Sequence, residues 1–360
     1  MTLAIDALAA LAERTLSAVP SDVLGGARSA ALYGMGFLGT WALQDLSASG
    51  IGFDAIFDGN PALAGRTIGG LPVYPVDALA TADPHFVFIT ARHAVKPVSK
   101  RLGQMNIAHV SCDAFYVARD FTAFRRVHDT VLADEPSRTV LRAVMATMLT
   151  GDRAHVMEVW EKDQYFCLPQ FCGLEKEIYV DAGAYVGDSL ERFIWAQYGV
   201  FDKAIAFEPG PRQFGALQSR LRRLEVEWAL DDGQVVAVPA ALGEIDGTAA
   251  AESQSGQMTS LAIAGGGGDV RVVRIDDHLA GQRITMLKAD VEGMEMPLLR
   301  GAAATIRTHR PKLAICVYHY PSDIPVISQY LQSLVPDYRF ALRHHSPQFM
   351  ETVLYAWVDA

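Results

Sequence analysis

The sequence predicts an α/β protein built from two Rossmann-like, doubly wound units joined by a helical segment. Three observations carry that prediction. Two stretches, about Ala30 to Tyr116 and Glu177 to the C-terminus, alternate short apolar runs with amphipathic stretches at helical spacing. Several of the apolar runs stop at a glycine or an acid, at the strand end where open parallel sheets take their ligands. The length of 360 residues accommodates two or three domains. The divisions read as residues 1–120 for the first unit with a leading helix, 121–175 for the connector and 176–360 for the second unit.

Met1 to Leu16 spaces Leu3, Ala7, Leu8 and Leu11 as an amphipathic helix. Strands are then expected at Ala30–Tyr33, Phe53–Phe57, His85–Ile89 and Ile107–Val110, with helices at Phe37–Ser49 and Val95–Gln104. In the connector, Val140, Leu141, Val144, Met145 and Met148 form a helical stripe, which reads as core or domain interface. A second helix is expected from Arg153 to about Lys162. The later strands are Glu177–Asp181, Ala204–Glu208, Gln234–Val238, Ile284–Lys288 and Lys312–Val317, closed by a hairpin within Ser346–Val358. Gly265–Gly268 reads as a loop.

Composition narrows the function classes. Half the residues are hydrophobic and 20% are charged, the balance of a globular chain. Lys plus Arg is 31 against 41 Asp plus Glu, a net charge of −10, which lacks the basic footprint of a nucleic-acid binder. No apolar run approaches the ~20 residues that span a bilayer. The N-terminal helix is broken by Asp6, Glu13 and Arg14 and has no basic n-region, which does not fit a signal peptide, and the sparse cysteines read as those of a cytoplasmic protein. Cys112, Cys167, Cys172 and Cys316 read as reduced thiols, and their spacing does not suggest a zinc site.

The chemistry-bearing residues gather in the second stretch. Its first strand runs into Asp181-Ala-Gly183-Ala-Tyr-Val-Gly187-Asp188 and then a helix. The glycines bare the backbone for a ligand, and the helix N-terminus offers free N–H groups. The next strand ends in Glu208-Pro209, placing an acid to accept from ribose hydroxyls. The turn is DxGxxxGD rather than GxGxxG, which favours S-adenosylmethionine over a dinucleotide: its amino group needs an acid such as Asp181 beside bare backbone at Gly183. A third cluster, Lys288-Ala-Asp290-Val-Glu292-Gly-Met-Glu295, also lies at a strand end. It makes Asp290 and Glu292 candidates for substrate contact or base catalysis, while Glu295 is placed to open the following helix. Capping for Asp181 and Glu208, or a network of Asp290 and Glu292 with Lys288 and Arg300, is the alternative structural role.

These segments resemble the FkbM family of methyltransferases. Val180–Asp188, Ala206–Pro209, Pro239–Gly243 and Lys288–Glu295 stand in that family's order. Leu299–Ala302 with Arg310-Pro311, and Tyr318-His319 with Asp323, are similar to it as well. The resemblance covers about Glu177 to Val358 and implies a class I methyltransferase fold, S-adenosylmethionine and transfer to a hydroxyl of a sugar, glycan or small natural product. By it, Asp181, Gly183, Gly187 and Asp188 form one end of the cofactor site, Glu208 takes the ribose, and Ala241 and Leu242 lie beside the adenine. Ser260-Leu261 resembles a segment near the cofactor. Asp290, Glu292 and His319 are the catalytic candidates. His319 has the convenient unperturbed pKa for a base, and at most one of the adjacent His344 and His345 is expected to share its site. The three could instead hold a divalent metal, although no ligand set is assigned.

In the first unit, Gly34-Met-Gly36-Phe-Leu-Gly39 follows a strand and opens a helix, with Asp58 nineteen residues beyond Gly39. The segment from Asp58 to Val73 resembles Rossmann-like domains attached to sugar-modifying enzymes. A nucleotide or nucleotide-sugar site at Gly34, Gly36, Gly39 and Asp58 is one reading, and a fold kept for docking or dimerisation is the other. A different class of function follows from the first: an NAD(P)-dependent oxidoreductase or a nucleotide-sugar-binding protein. The leading helix and the connector offer surfaces for an oligomer.

Overall fold

The computed structural model describes residues 3–173, 176–255, 258–262 and 269–359. In the first unit the strands are β1 (Ala30–Tyr33), β2 (Phe53–Asp58), β3 (Thr67–Ile68), β4 (Leu71–Pro75), β5 (Val87–Ile89) and β6 (His109–Ser111). They lie in the order β3-β4-β2-β1-β5-β6, parallel throughout except for the β3–β4 hairpin.

The second unit contains β7 (Ile178–Ala182), β8 (Lys203–Phe207), β9 (Val235–Val238), β10 (Ala241–Leu242), β11 (Gly247–Ser255), β12 (Met258–Ala262), β13 (Val270–Val273), β14 (Met286–Ala289), β15 (Lys312–Cys316), β16 (Arg339–His344) and β17 (Thr352–Trp357). Its main sheet runs β16-β17-β15-β14-β7-β8-β9, with β17 antiparallel to both β15 and β16. The chain moves from β7 outward to β8 and later returns on the other side at β14. That reversal creates a crevice at the carboxyl ends of β7 and β14, where doubly wound sheets bind ligands. The two-unit α/β architecture is thus the one the alternating apolar runs predict.

Two local readings are corrected, and one small sheet adds to them. The closing hairpin begins earlier than expected, at Arg339, and His345–Glu351 is its connection. Alternate charges at Arg339 and Arg343 hide β16 from a search for apolar runs. The second connector helix is only Ala154–Met157, because the chain then bends to pair Trp160 with His344 and takes positive φ at Asp163 and Tyr165. A small sheet, β10-β13-β11-β12, is also present; Gly247–Ser255 has almost no β-branched residues to announce it. The Gly265–Gly268 loop lies outside the described residues, as do the side chains of Ser260-Leu261.

The connector is more than a link. Asp134 caps its main helix, Glu135–Thr150, by accepting from Ser137 N at 2.7 Å, and Gly151 ends it at φ 68°. Leu141, Val144, Met145 and Met148 are buried in one apolar cluster that also contains Leu8, Leu32 and Phe88 of the first unit and Val180, Leu313 and Leu354 of the second. Arg343 of β16 grips Asp134 at 2.9 Å, and Ser137 Oγ accepts from Leu342 N at 2.9 Å. Among the described residues, no helix is long and apolar enough to cross a membrane, and the four cysteines are free thiols.

Candidate active site

A cavity of about 480 Å³ opens at the carboxyl ends of the central strands. Gly183, Asp188, Glu208, Ala241, Leu242, Asp290 and Glu292 all lie on its wall. The first five come from the turns after β7, β8 and β9, and the last two from the turn after β14. Strand ends bring them together although the outermost are more than 100 residues apart in sequence.

The wall is built from the turn outward. Gly183 sits at φ 75°, and a Cβ there would come within 1.9 Å of the Asp290 carbonyl oxygen. Its bareness therefore lets the β7 and β14 turns touch. Gly187, at φ 83°, starts the helix Asp188–Ala196 from behind the wall, against Leu217 and Arg220. Asp181 differs from its expected place. It is fully buried beneath the wall, with Oδ1 3.0 Å from Lys288 Nζ and Oδ2 accepting from Ser189 Oγ at 2.7 Å. Lys288 itself lines the cavity and donates to the carbonyls of Gly183 (2.6 Å) and Ala182 (3.2 Å). Burial opposes its charge, but Asp181 and Asp290 outweigh burial and raise its pKa. Arg300 takes no part; it reaches Glu244 at 3.3 Å.

Glu208 uses one oxygen to fold its own turn and the other to tie that turn to the one after β7. Oε2 accepts from Tyr185 N at 2.9 Å and Oε1 from Gly210 N at 2.7 Å. Burial nevertheless pushes this carboxyl above its ordinary range, against those hydrogen bonds. Both oxygens keep lone pairs for a ligand hydroxyl.

At the other end, Asp290 accepts from Tyr165 OH at 2.9 Å and from Tyr318 OH at 3.1 Å. Burial would raise its pKa, but Lys288, His319 and the tyrosine hydroxyls together lower it. His319 is buried among acids: Nε2 lies 3.4 Å from Glu292 and 3.7 Å from Asp290, and Nδ1 lies 3.1 Å from Glu295. Burial disfavours its charge, yet Glu295, Glu292 and Asp290 overcome burial and raise its pKa well above the ordinary imidazole value. Those acids favour the charged form of the ring, which disfavours the base role expected of His319. His344 and His345 do not join it. His344 is held by Thr352 and the Gln348 carbonyl, and His345 by Tyr355 OH and the Glu161 carbonyl.

Residues 181–342 match the family model of the methyltransferase FkbM domain. The C-terminal half carries an FkbM methyltransferase domain. Among solved structures, the chain is similar to the methyltransferase FkbM of Methylobacillus flagellatus KT, with 24% identity, 98% of this chain and 99% of that one covered, and a TM-score of 0.58. That likeness concerns fold, and it spans the first unit and the connector too. Weaker likenesses include a precorrin-6y C5,15-methyltransferase from Geobacter metallireducens GS-15 (10% identity, 57% and 87% covered, TM-score 0.33). Another is SMU.1697c of Streptococcus mutans, solved in complex with SAH (12% identity, 57% and 95% covered, TM-score 0.32). Comparison with curated proteins gives no match.

The FkbM domain does not close its cavity alone. Gln164, Tyr165, Met350 and Glu351 line it from outside residues 181–342. Sequence reasoning missed all four, and also missed Lys288 as a wall residue. Gln164, Tyr165, Met350 and Glu351 stand in no local motif; positive φ at Tyr165 and Glu351 is their mark, and only the backbone shows it.

The first unit supports the FkbM domain from the side. Phe37 stacks on Tyr320 with ring centres 5.3 Å apart, and Trp41 stacks on the same ring at 4.8 Å. Arg92 pairs with Asp113 and sends Nη1 to the carbonyls of Tyr318 (2.7 Å) and His319 (3.2 Å). The GxGxxG glycines have local reasons: Gly34 is at φ 100°, and a Cβ on Gly39 would lie 2.3 Å from the Gly34 carbonyl. Gly36 is exposed and caps the helix Phe37–Ala48. Asp58 accepts from Met35 N (2.6 Å) and Asn60 N (2.7 Å), which ties the turn after β2 to the glycine turn after β1.

Proposed function

We propose that the chain is an S-adenosylmethionine-dependent O-methyltransferase acting on a hydroxyl of a sugar, glycan or related small molecule. The observation that carries this reading is one cavity lined by Glu208, Ala241 and Leu242, by the bare Gly183 turn and by the acids Asp290 and Glu292. When bound, S-adenosylmethionine supplies a methyl group activated by its sulfonium. Glu208 would accept from the ribose hydroxyls, and the short β10 wall would lie against the adenine. Asp188, Glu208, Asp290 and Glu292 give the cavity a negative lining suited to a cationic ligand and a neutral acceptor. Tyr165 and Tyr318 orient Asp290 toward the acceptor end, and the cavity walls limit water.

Titration calorimetry with S-adenosylmethionine, its demethylated product SAH, NAD and a nucleotide-sugar tests the reading. Binding of SAH but not NAD is expected, and the reverse result sinks it. Glu208→Ala is expected to weaken SAH by about 1–3 kcal/mol through lost charge-assisted hydrogen bonds; unchanged affinity removes Glu208 from the ribose role.

Asp290, Glu295 and His319 place one ligand-type atom each within 4.8 Å of one another. Those carboxylates favour the charged imidazole, so a metal would have to displace its proton to bind there. Turnover is accordingly expected to survive EDTA, and loss restored by Mg²⁺ or Mn²⁺ would reverse that view.

A further inference from the structure

The acids on the acceptor side of the cavity differ in what they are free to do. Asp290 already accepts from two tyrosine hydroxyls and is kept ionised by the Lys288 charge. Glu292 Oε2 lies 3.4 Å from the His319 ring. Glu208 is spread over two backbone amides at the other end. Glu351 is left. It lines the same cavity from the β16–β17 connection, and its Oε2 accepts from Gln164 Nε2 at 2.5 Å. Gln164 Nε2 also donates to Tyr165 OH at 3.0 Å, and that hydroxyl donates to Asp290 at 2.9 Å. One relay thus ties Glu351 to the acid cluster through the connector, while its Oε1 has no partner in that relay.

We propose that Glu351 is the general base that takes the proton from the acceptor hydroxyl, an assignment that rests on the methyltransferase reading above. As the acceptor oxygen forms its bond to the methyl carbon, the methyl–sulfur bond breaks and its electron pair stays on sulfur. The hydroxyl proton passes to the Glu351 carboxylate and leaves to solvent with the product. Burial raises this carboxyl, the Asp290 and Glu292 charges add to that, and Gln164 and His319 oppose it, for a value of about 7. The neutral hydroxyls of Tyr165 and Tyr318 and the buried Cys316 thiol complete its surroundings. A base poised there is half ionised near neutrality, where proton transfer is most effective.

The test compares the full-length chain with Glu351→Gln, which keeps size and the contact with Gln164. SAH affinity is measured by calorimetry, the side-chain carboxyl titration by ¹³C NMR, and methyl transfer on a panel of methyl hexopyranosides between pH 5 and 9. The wild-type rate is expected to rise through about pH 7. The variant should lose about 10²–10⁴-fold in kcat with SAH affinity unchanged. It should also lose that pH step, together with one carboxyl resonance titrating near neutrality. Turnover within threefold of wild type, or a retained pH step, overturns the assignment alone. A wild-type chain that fails to bind SAH, or binds it and methylates none of the panel, overturns the parent reading and Glu351 with it.

Discussion

Lys288→Met should destabilise the chain by about 3–5 kcal/mol in urea denaturation, because it strands the fully buried Asp181 carboxylate without its cation. The loss extends beyond the pair. Lys288 also holds the carbonyls of Ala182 and Gly183, the two residues at which β7 turns into the cavity. Loosening them lets the Gly183 turn drift from Asp290, so SAH affinity should fall along with stability. Asp181→Leu combined with Lys288→Met removes both charges together. It is expected to recover most of the stability while leaving SAH binding weak, since an apolar pair cannot hold the two carbonyls. A single Lys288→Met variant within 1 kcal/mol of wild type would show that Asp181 does not depend on this ammonium.

Arg92→Ala is the second large effect, at about 3–5 kcal/mol, for the same reason applied within the first unit: Asp113 is 4% exposed and would lose its fork of guanidinium donors. Arg92→Lys should recover little, because a point charge cannot bridge Asp113 and two carbonyls at once. Function should suffer beyond stability. Arg92 fixes the backbone of Tyr318 and His319, one of which donates to Asp290 while the other lies among Glu292, Glu295 and Asp290. Methyl transfer is therefore expected to drop at urea concentrations where the variant is still folded. Unchanged turnover in folded Arg92→Ala would mean that the loop after β15 keeps its shape unaided.

How much of this is written locally in the chain differs between fold and site. Parallel strands buried on both faces read as plain apolar runs, which is why β1, β2, β7, β8, β14 and β15 are visible in sequence. β16 is not, because Arg339 and Arg343 interrupt it to reach Asp359 and Asp134. Glu208, Asp290 and Glu292 follow strand ends, so a topological rule finds them. Asp181 is one residue short of the end of its strand, and there it turns into the protein to meet Lys288. His319 is visible as a histidine, but its charge state depends on acids on another strand's turn. Gln164 and Glu351 meet across 187 residues from two irregular segments, and no periodicity encodes such a meeting.

The buried stripe of the helix Glu135–Thr150 has a consequence for how such a chain can change over generations. Leu141 and Met145 belong to one apolar mass with Leu32 on one side and Leu313 on the other. The family boundary at residue 181 is thus a boundary of motif and leaves the packing undivided. A substitution that enlarges or shrinks that stripe is inherited by both sheets at once. Neither unit is free to drift in volume, or to be exchanged for a foreign counterpart, without the other adjusting its own side chains.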